Sequence, residues 1–479
     1  MSDTIRERNQ RAWAMAGRWG RAERMNELEA TMWRSERHPQ QSSTFCSLFV
    51  LDRAPRWDRL VAAHEWASRL VPRTRQRVVE PLVPTGPPAW GADPHFTLDY
   101  HLRRLALGRR NGMTELLELT QSLAILPFDR TRPLWEATLI EGLQGGRAAY
   151  LLKIHHSLTD GLGAVQLLAA LQSRTRRHTK DKPVSAVADE HEPDRLDVTV
   201  DGALDAVRML PALAAEAAGA GRRALSHPNE VASEGLRFAA SLRRVISPPP
   251  APSSPLLAPR DGRRWLLRTL ECPLADLRAA GRAGGGSVND AYLAALLGGM
   301  RRYHHVHGVE LDDLPVTVPV SLRRADDPLG GNKFAGAMFA APMGVADPAD
   351  RIAAIRGAIL SQLNEPALDS FSVFTPLVNR LPSAVGASVM RLGGRTDLSA
   401  SNVPGPTETT YLAGAQVLRV YPFGPLPGVA VMAVMLSHLG TCCIGLTIDA
   451  SAVHDPETFM DAMAAGLGEV LALARATAG

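Results

Sequence analysis

His155 and His156 sit side by side where the apolar run Leu151-Leu152-Lys153-Ile154 stops, and Ser157-Leu158-Thr159-Asp160-Gly161 follows them. Imidazole has the ordinary pKa nearest to neutral pH. It can therefore take a proton from a hydroxyl and return it to a leaving group. Side chains alternate along a strand, so the two rings point in different directions and one can face a cleft while the other packs or hydrogen-bonds. Asp160 lies across a turn, where it can pair with a cation and fix the loop. Gly161 removes bulk where a substrate must approach. A bare histidine pair is usually structural, but the strand before this one and the Asp-Gly after it favour chemistry.

Other chemistries lack their residues. His304, His305 and His307 sit beside Arg301 and Arg302 at the end of an apparent helix, and read as a solvated terminus. With no HExxH, no metal site is expected. No GxSxG offers a nucleophile elbow. Gly161-Leu162-Gly163 lacks the third glycine of a dinucleotide fingerprint, and no Lys-Ser/Thr follows Gly284-Gly285-Gly286. Cys46, Cys272, Cys442 and Cys443 form no CxxC, and the last two read as small buried hydrophobes.

The pattern around the histidines is mixed α/β. Strands are expected at 46–51, 136–140 and 148–154, and helices at 57–70, 114–126 and 163–171. Residues 174–198 are charged, 203–245 are Ala/Arg-rich and helical, and Ser247–Pro259 is a Pro/Ser tract unfit for a central element. The second half restarts with a strand at 265–270, the glycine-rich 281–287 and a helix over 288–303. Strands at 314–320 and 334–342, a helix over 349–363 and a strand at 397–403 follow. Strand patterns at 415–421, 429–436 and 441–448 and a helix from Pro456 end the chain. The organisation is a basic extension (1–24), an N-terminal domain (25–174), a crossover (175–262) and a C-terminal domain (263–479).

A chain of 479 residues exceeds one ordinary core and suits two domains of roughly 150–230 residues. The net charge of +4 and pI near 9.0 are only mildly basic. Without a Lys/Arg block interleaved with aromatics, no nucleic-acid partner is expected. An anionic cofactor or membrane surface remains compatible. No charged-then-apolar leader and no apolar window of membrane-spanning length are visible, which suggests a reduced, cytoplasmic protein. Residues 1–24 carry Trp13, Met15 and Trp19 among arginines. They read as a frayed, solvated tail, with an interfacial membrane helix as the alternative.

The ordered landmarks resemble the bacterial wax ester synthase/acyl-CoA:diacylglycerol acyltransferase family, within the CoA-dependent acyltransferases of chloramphenicol-acetyltransferase-like fold. They are Arg132-Pro133-Leu134-Trp135-Glu136, His155-His156-Ser157-Leu158-Thr159-Asp160-Gly161, Val288-Asn289-Asp290 and Val318-Pro319-Val320-Ser321-Leu322-Arg323. Gly331-Asn332, Ser401-Asn402-Val403-Pro404-Gly405-Pro406 and Gly445-Leu446-Thr447-Ile448-Asp449 complete the series. Each is weak alone; the order from Arg132 to Asp449 makes them strong.

The resemblance implies two α/β domains around a central substrate tunnel, with His155, His156, Asp160 and Gly161 as the catalytic set. It makes His156 the general base and Asp160 a structural residue, with Arg323 its expected partner. Asn289 and Asp290 would shape the site, and Asn402 would lie on the strand toward the acyl channel. Pro133-Leu134-Trp135 reads as a packing corner and Pro404-Gly405-Pro406 as a rigid turn. The implied reaction moves a long-chain acyl group from acyl-CoA to diacylglycerol or a fatty alcohol, with no cofactor beyond that co-substrate. It also implies access to a membrane or lipid-droplet surface. A condensation-type enzyme using carrier-bound acyl groups and a non-catalytic lipid-binding relative are the alternatives. One stretch departs from the family: 428–438 lacks the usual polar Asn and Thr, and His438 stands where Tyr is expected. If that strand lines the acceptor pocket, the pocket is unusually apolar.

Overall fold

The computed structural model describes residues 4–177, 179, 182–183, 192–208, 251–321, 330–332, 334–363 and 396–476. Its strands are β1 (Thr44–Leu51), β2 (Gln76–Val79), β3 (Ala89–Ala92), β4 (Leu102–Ala106), β5 (Trp135–Leu143) and β6 (Arg147–His155). The later ones are β7 (Trp265–Pro273), β8 (Asp313–Ser321), β9 (Phe334–Pro342), β10 (Leu398–Pro404), β11 (Tyr411–Leu412), β12 (Ala415–Phe423), β13 (Val431–His438) and β14 (Thr441–Asp449).

Two mixed sheets form, in the orders β11-β12-β1-β6-β5-β4 and β7-β14-β13-β10-β8-β9. A strand covered on both faces reads as a nearly unbroken apolar run. β1 is of this kind and is buried along its whole length. Helix Val288–Val306 opens with a capping box, Ser287 and Asp290 each bonding the other's backbone N–H, and buries Ala291 through Met300 in the second core. A third apolar cluster joins the sheets, with Leu48 and Leu151 from the first meeting Trp265, Leu267 and Cys443 from the second.

The halves interlock. The patterns at 415–421, 429–436 and 441–448 look like three neighbours, but β12 leaves the second sheet and pairs antiparallel with β1, Cys46 opposite Phe423. Period-two alternation identifies a strand without saying which sheet receives it. Where β14 crosses β12, Gly445 lies so close to the Pro422 carbonyl that no Cβ would fit.

Two further expectations are corrected. Residues 5–17 form the helix Ile5–Gly17, and Trp13 and Trp19 are only 6% and 2% exposed. Trp13 meets Trp66 edge-on at 5.9 Å, so this segment is neither a frayed tail nor a helix showing its tryptophans to a membrane. His304 is buried rather than solvated. Its Nδ1 faces the Met300 carbonyl at 2.7 Å and its Nε2 the Ser254 hydroxyl at 2.6 Å. Its neighbours His305 and His307 are exposed as expected. In the Pro/Ser tract, Ser254 also donates its backbone N–H to Asp397 (2.7 Å), which seats residues 251–262 on the second half. Residues 209–250 lie outside the described residues. Among those described, no helix is long and apolar enough to cross a membrane.

Candidate active site

β6 delivers both histidines to the junction of the sheets. His155 ends the strand with no exposed surface, its N–H bonded to the Leu134 carbonyl at 3.1 Å. The backbone N–H of Ser157 donates to His155 Nδ1 (3.0 Å), and the Ser157 hydroxyl lies 2.7 Å from the same nitrogen. An Nδ1 that accepts leaves the proton on Nε2, and Nε2 is 2.7 Å from Glu36 Oε2. Burial alone would raise the Glu36 pKa. The facing imidazole, the Ser43 N–H (3.1 Å) and Arg130 reverse that and hold the carboxyl at about 2. Within the predicted catalytic set, His155 is thus an inward-facing anchor with both ring nitrogens engaged.

His156 turns the other way and keeps partial exposure. Its backbone is pinned at both ends: the N–H donates to the Ser43 carbonyl at 2.8 Å, and the C=O accepts from the Asn332 side chain. The Phe45 ring lies 4.6 Å away. Dense surroundings, and next the neighbouring His155, push the imidazole pKa down to about 4, while Asp160 and Asn332 pull it upward. The ring is therefore neutral at physiological pH.

Asp160 caps the helix Gly161–Leu171, its Oδ1 accepting the Gly163 N–H at 2.7 Å. Its expected partner Arg323 lies outside the described residues. Gly161 has room: an added Cβ would meet Val403 at an ordinary 3.5 Å. Gly163 has none, since a Cβ there would collide with the Thr159 hydroxyl. The position in this turn that demands glycine is two residues beyond the one the motif emphasises.

Residues 330–332 close the turn from the second sheet's side. Gly331 forms a parallel bridge with Thr159, and Asn332 donates its backbone N–H to Glu29 Oε1 at 2.9 Å. Asn26 donates its side chain to the Asn332 carbonyl, also at 2.9 Å. Glu29 also completes the capping box of helix Glu27–Ser35 with Asn26, and burial pushes its carboxyl up to about 7 against those hydrogen bonds. Asn402 donates to Asn289 Oδ1 at 2.5 Å, and both residues are exposed. The next residue of β10, Val403, meets Gly161. Asp290 is absorbed by its capping box and stands 3.5 Å from Arg356. It holds a helix end and is not part of the turn around His156.

Glu36 and Glu29 escape the motif reading, and Ser157 and Asn332 enter it only as landmarks. The Asn26…Glu29 spacing announces a capping box, but no local pattern says that Glu36 will face His155. The altered stretch 428–438 contains the whole of the buried interior strand β13, and His438 is buried with Nε2 3.2 Å from the Val417 carbonyl. Met432 and Val434 stand against Gly424, at the end of β12, so the apolar substitutions pack the seam between the sheets.

Two mixed sheets meeting over an HHxxxDG turn define an acyltransferase-type fold. The model of the wax ester synthase/diacylglycerol acyltransferase catalytic domain matches residues 25–292, and that of the WS/DGAT C-terminal domain matches 330–470. The chain belongs to the wax ester synthase/diacylglycerol acyltransferase family. It is 40% identical over 467 residues to a Mycobacterium tuberculosis protein provisionally named a diacylglycerol O-acyltransferase, covering 95% of this chain and 92% of that one. A second M. tuberculosis relative bearing the same provisional name is 30% identical over 437 residues, 88% of this chain and 90% of its own. Among solved structures, the wax ester synthase/diacylglycerol acyltransferase of Marinobacter aquaeolei VT8 superposes with a TM-score of 0.63 at 21% identity, covering 94% of this chain and 99% of that one. The first condensation domain of the calcium-dependent antibiotic synthetase shares the fold at TM-score 0.59 and 16% identity, covering 95% and 97%.

Proposed function

We propose that this enzyme transfers a long-chain acyl group from acyl-CoA to the hydroxyl of diacylglycerol or a fatty alcohol, with His156 as the general base. The observation that carries the reading is a neutral, partly exposed imidazole on a turn pinned from both sheets. Its Nδ1 is buried, so Nε2 is the nitrogen offered to the acceptor. Nε2 takes the hydroxyl proton as the oxygen attacks the thioester carbonyl. The tetrahedral intermediate then collapses, the C–S bond breaks, and the imidazolium protonates the departing thiolate to give free CoA. A base of this kind contributes on the order of 10²–10⁴-fold, and positioning supplies much of the rest.

Both substrates partition into lipid, so the enzyme works at a membrane or lipid-droplet surface without spanning it. The test supplies palmitoyl-CoA with dioleoylglycerol or hexadecanol and follows free thiol. Acceptor-dependent release that His156→Ala abolishes supports the reading, and a protein that turns over no CoA thioester overturns it.

A further inference from the structure

A cavity of about 430 Å³ opens between helix Ile5–Gly17 and residues 406–410, away from the histidine turn. Arg8, Arg11, Arg174 and Glu408 line it, leaving a surplus of positive charge, while Ala12 and Met15 supply an apolar wall. Arg8 and Arg174 converge on the single carboxylate of Glu408, which is half-exposed. Arg174 is also steadied by the buried Asn9, whose Oδ1 accepts from it at 3.0 Å. Guanidinium groups gathered on one exposed carboxylate are arranged as they would be on a phosphate. The volume falls in the usual range for a small-molecule site, about 300–1,000 Å³.

Every wall of the cavity leads back to His156. The helix Gly161–Leu171 starts at the Asp160 cap and, at a rise of about 1.5 Å per residue, carries the chain some 16 Å toward Arg174. Val403, against Gly161, is followed along the chain by the 406–410 wall. Helix Ile5–Gly17 leads to Trp19 and Gly20, which lie against Gly330, next to the Gly331–Thr159 bridge. The extended pantetheine arm of CoA is roughly four residue-lengths of chain, about 15 Å at the reach of an extended backbone. That reach matches the length of the helix Gly161–Leu171, which runs from the histidine turn toward Arg174 on the cavity wall.

We propose that the cavity binds the 3′-phospho-ADP end of the acyl-CoA, with Arg8, Arg11 and Arg174 on the phosphates and the Ala12–Met15 wall against the base. The proposal rests on the acyl-CoA reading above. Glu408 competes with the ligand and swings outward when it binds.

The experiment uses the full chain and 3′,5′-ADP, followed by calorimetry, so it needs no turnover. The wild type is expected to bind, Arg8→Gln/Arg11→Gln to bind at least tenfold more weakly, and Glu408→Gln more tightly. In parallel, the KM for palmitoyl-CoA rises in the double variant, while that for the palmitoyl thioester of N-acetylcysteamine, which lacks phosphates, stays put. Arg11→Gln alone, at an exposed position, serves if the double variant does not fold. No binding by the wild type, or equal binding by the variants, overturns the proposal. A double variant that keeps its ADP affinity but loses binding to phosphatidic acid vesicles assigns the arginines to lipid and overturns it too. Arginine-dependent ADP binding without any thioester turnover removes the acyl-transfer reading and leaves the site standing. Turnover with an unchanged palmitoyl-CoA KM does the reverse.

Discussion

His155 Nε2 and Glu36 Oε2 stand 2.7 Å apart, tying the end of β6 to a carboxylate just past the helix Glu27–Ser35. The contact aims the first histidine inward, and the second, just past the strand end, turns the other way, toward the Phe45 ring. Glu36 thereby fixes the strand end from which His156 follows.

Glu36→Ala leaves the buried Nε2–H without its acceptor, at a cost of about 1.5–3 kcal/mol for a hydrogen bond to a charged group. Glu36→Gln keeps an oxygen in place and is expected to recover most of that loss in urea denaturation. The carboxyl is held at about 2 against an ordinary 4.5, so its stabilisation is complete above about pH 4.5 and disappears as pH falls toward 2. Glu36→Gln should flatten that part of the stability profile, and a profile of unchanged shape would refute the pairing.

His156 predicts an unusual pH–rate profile. An ordinary histidine would lose activity below about pH 6.5; this one, held near 4, stays neutral far below that. The expected kcat/KM is flat between about pH 6 and 8, with its acid limb displaced toward 4, and circular dichroism at each pH separates this from unfolding. Because the folded pKa is depressed, stability is complete above 6.5 and declines as pH falls toward 4, in the same direction as the Glu36 effect. An acid limb at 6.5 would mean that His156 is solvated rather than enclosed.

The elements around the site are legible because their signals are local. The apolar run over 148–154 gives β6, and the helical patterns over 163–171 and 288–303 give the helix after the histidine turn and the long helix of the second core. The partners are not legible, because they depend on contacts distant in sequence. Glu36 meets His155, Asn332 reaches the His156 carbonyl, and β12 crosses to β1. His304 shows the same gap: its helical position suggests a solvated terminus, and the returning 251–262 segment brings Ser254 onto it. The family pattern names Asn332 without its purpose, and the structure supplies one in the clamp from Glu29 to His156.

Gly161 and Gly163 separate two roles for glycine in one turn. Gly163→Ala forces a methyl into the Thr159 hydroxyl and disturbs the Asp160 cap, itself worth about 0.5–2 kcal/mol, so its melting temperature should fall by several degrees. Gly161→Ala meets only Val403 and should melt within a degree or two of the wild type. If Gly161 gives clearance to substrate, this variant keeps its stability and loses kcat/KM. Full activity in Gly161→Ala would remove that role and leave Gly163 as the glycine the turn requires.

The N-terminal helix makes the sharpest test of the fold, because a solvated tail and a core element predict opposite results. Trp13 and Trp19 lie in the first core, and Arg73, only 3% exposed, donates to the Gly20 carbonyl at 2.7 Å and to that of Ala22. Trp13→Ala should cost about 3–5 kcal/mol, as large-to-small changes of a buried tryptophan do. Removing residues 1–24 should cost more, since it opens the same cavity and takes the Gly20 and Ala22 carbonyls from the buried guanidinium. The measurement is the urea midpoint of the truncated chain against the full one. A midpoint that does not move would return the segment to the status of a tail, and with it the Arg8 and Arg11 wall of the cavity.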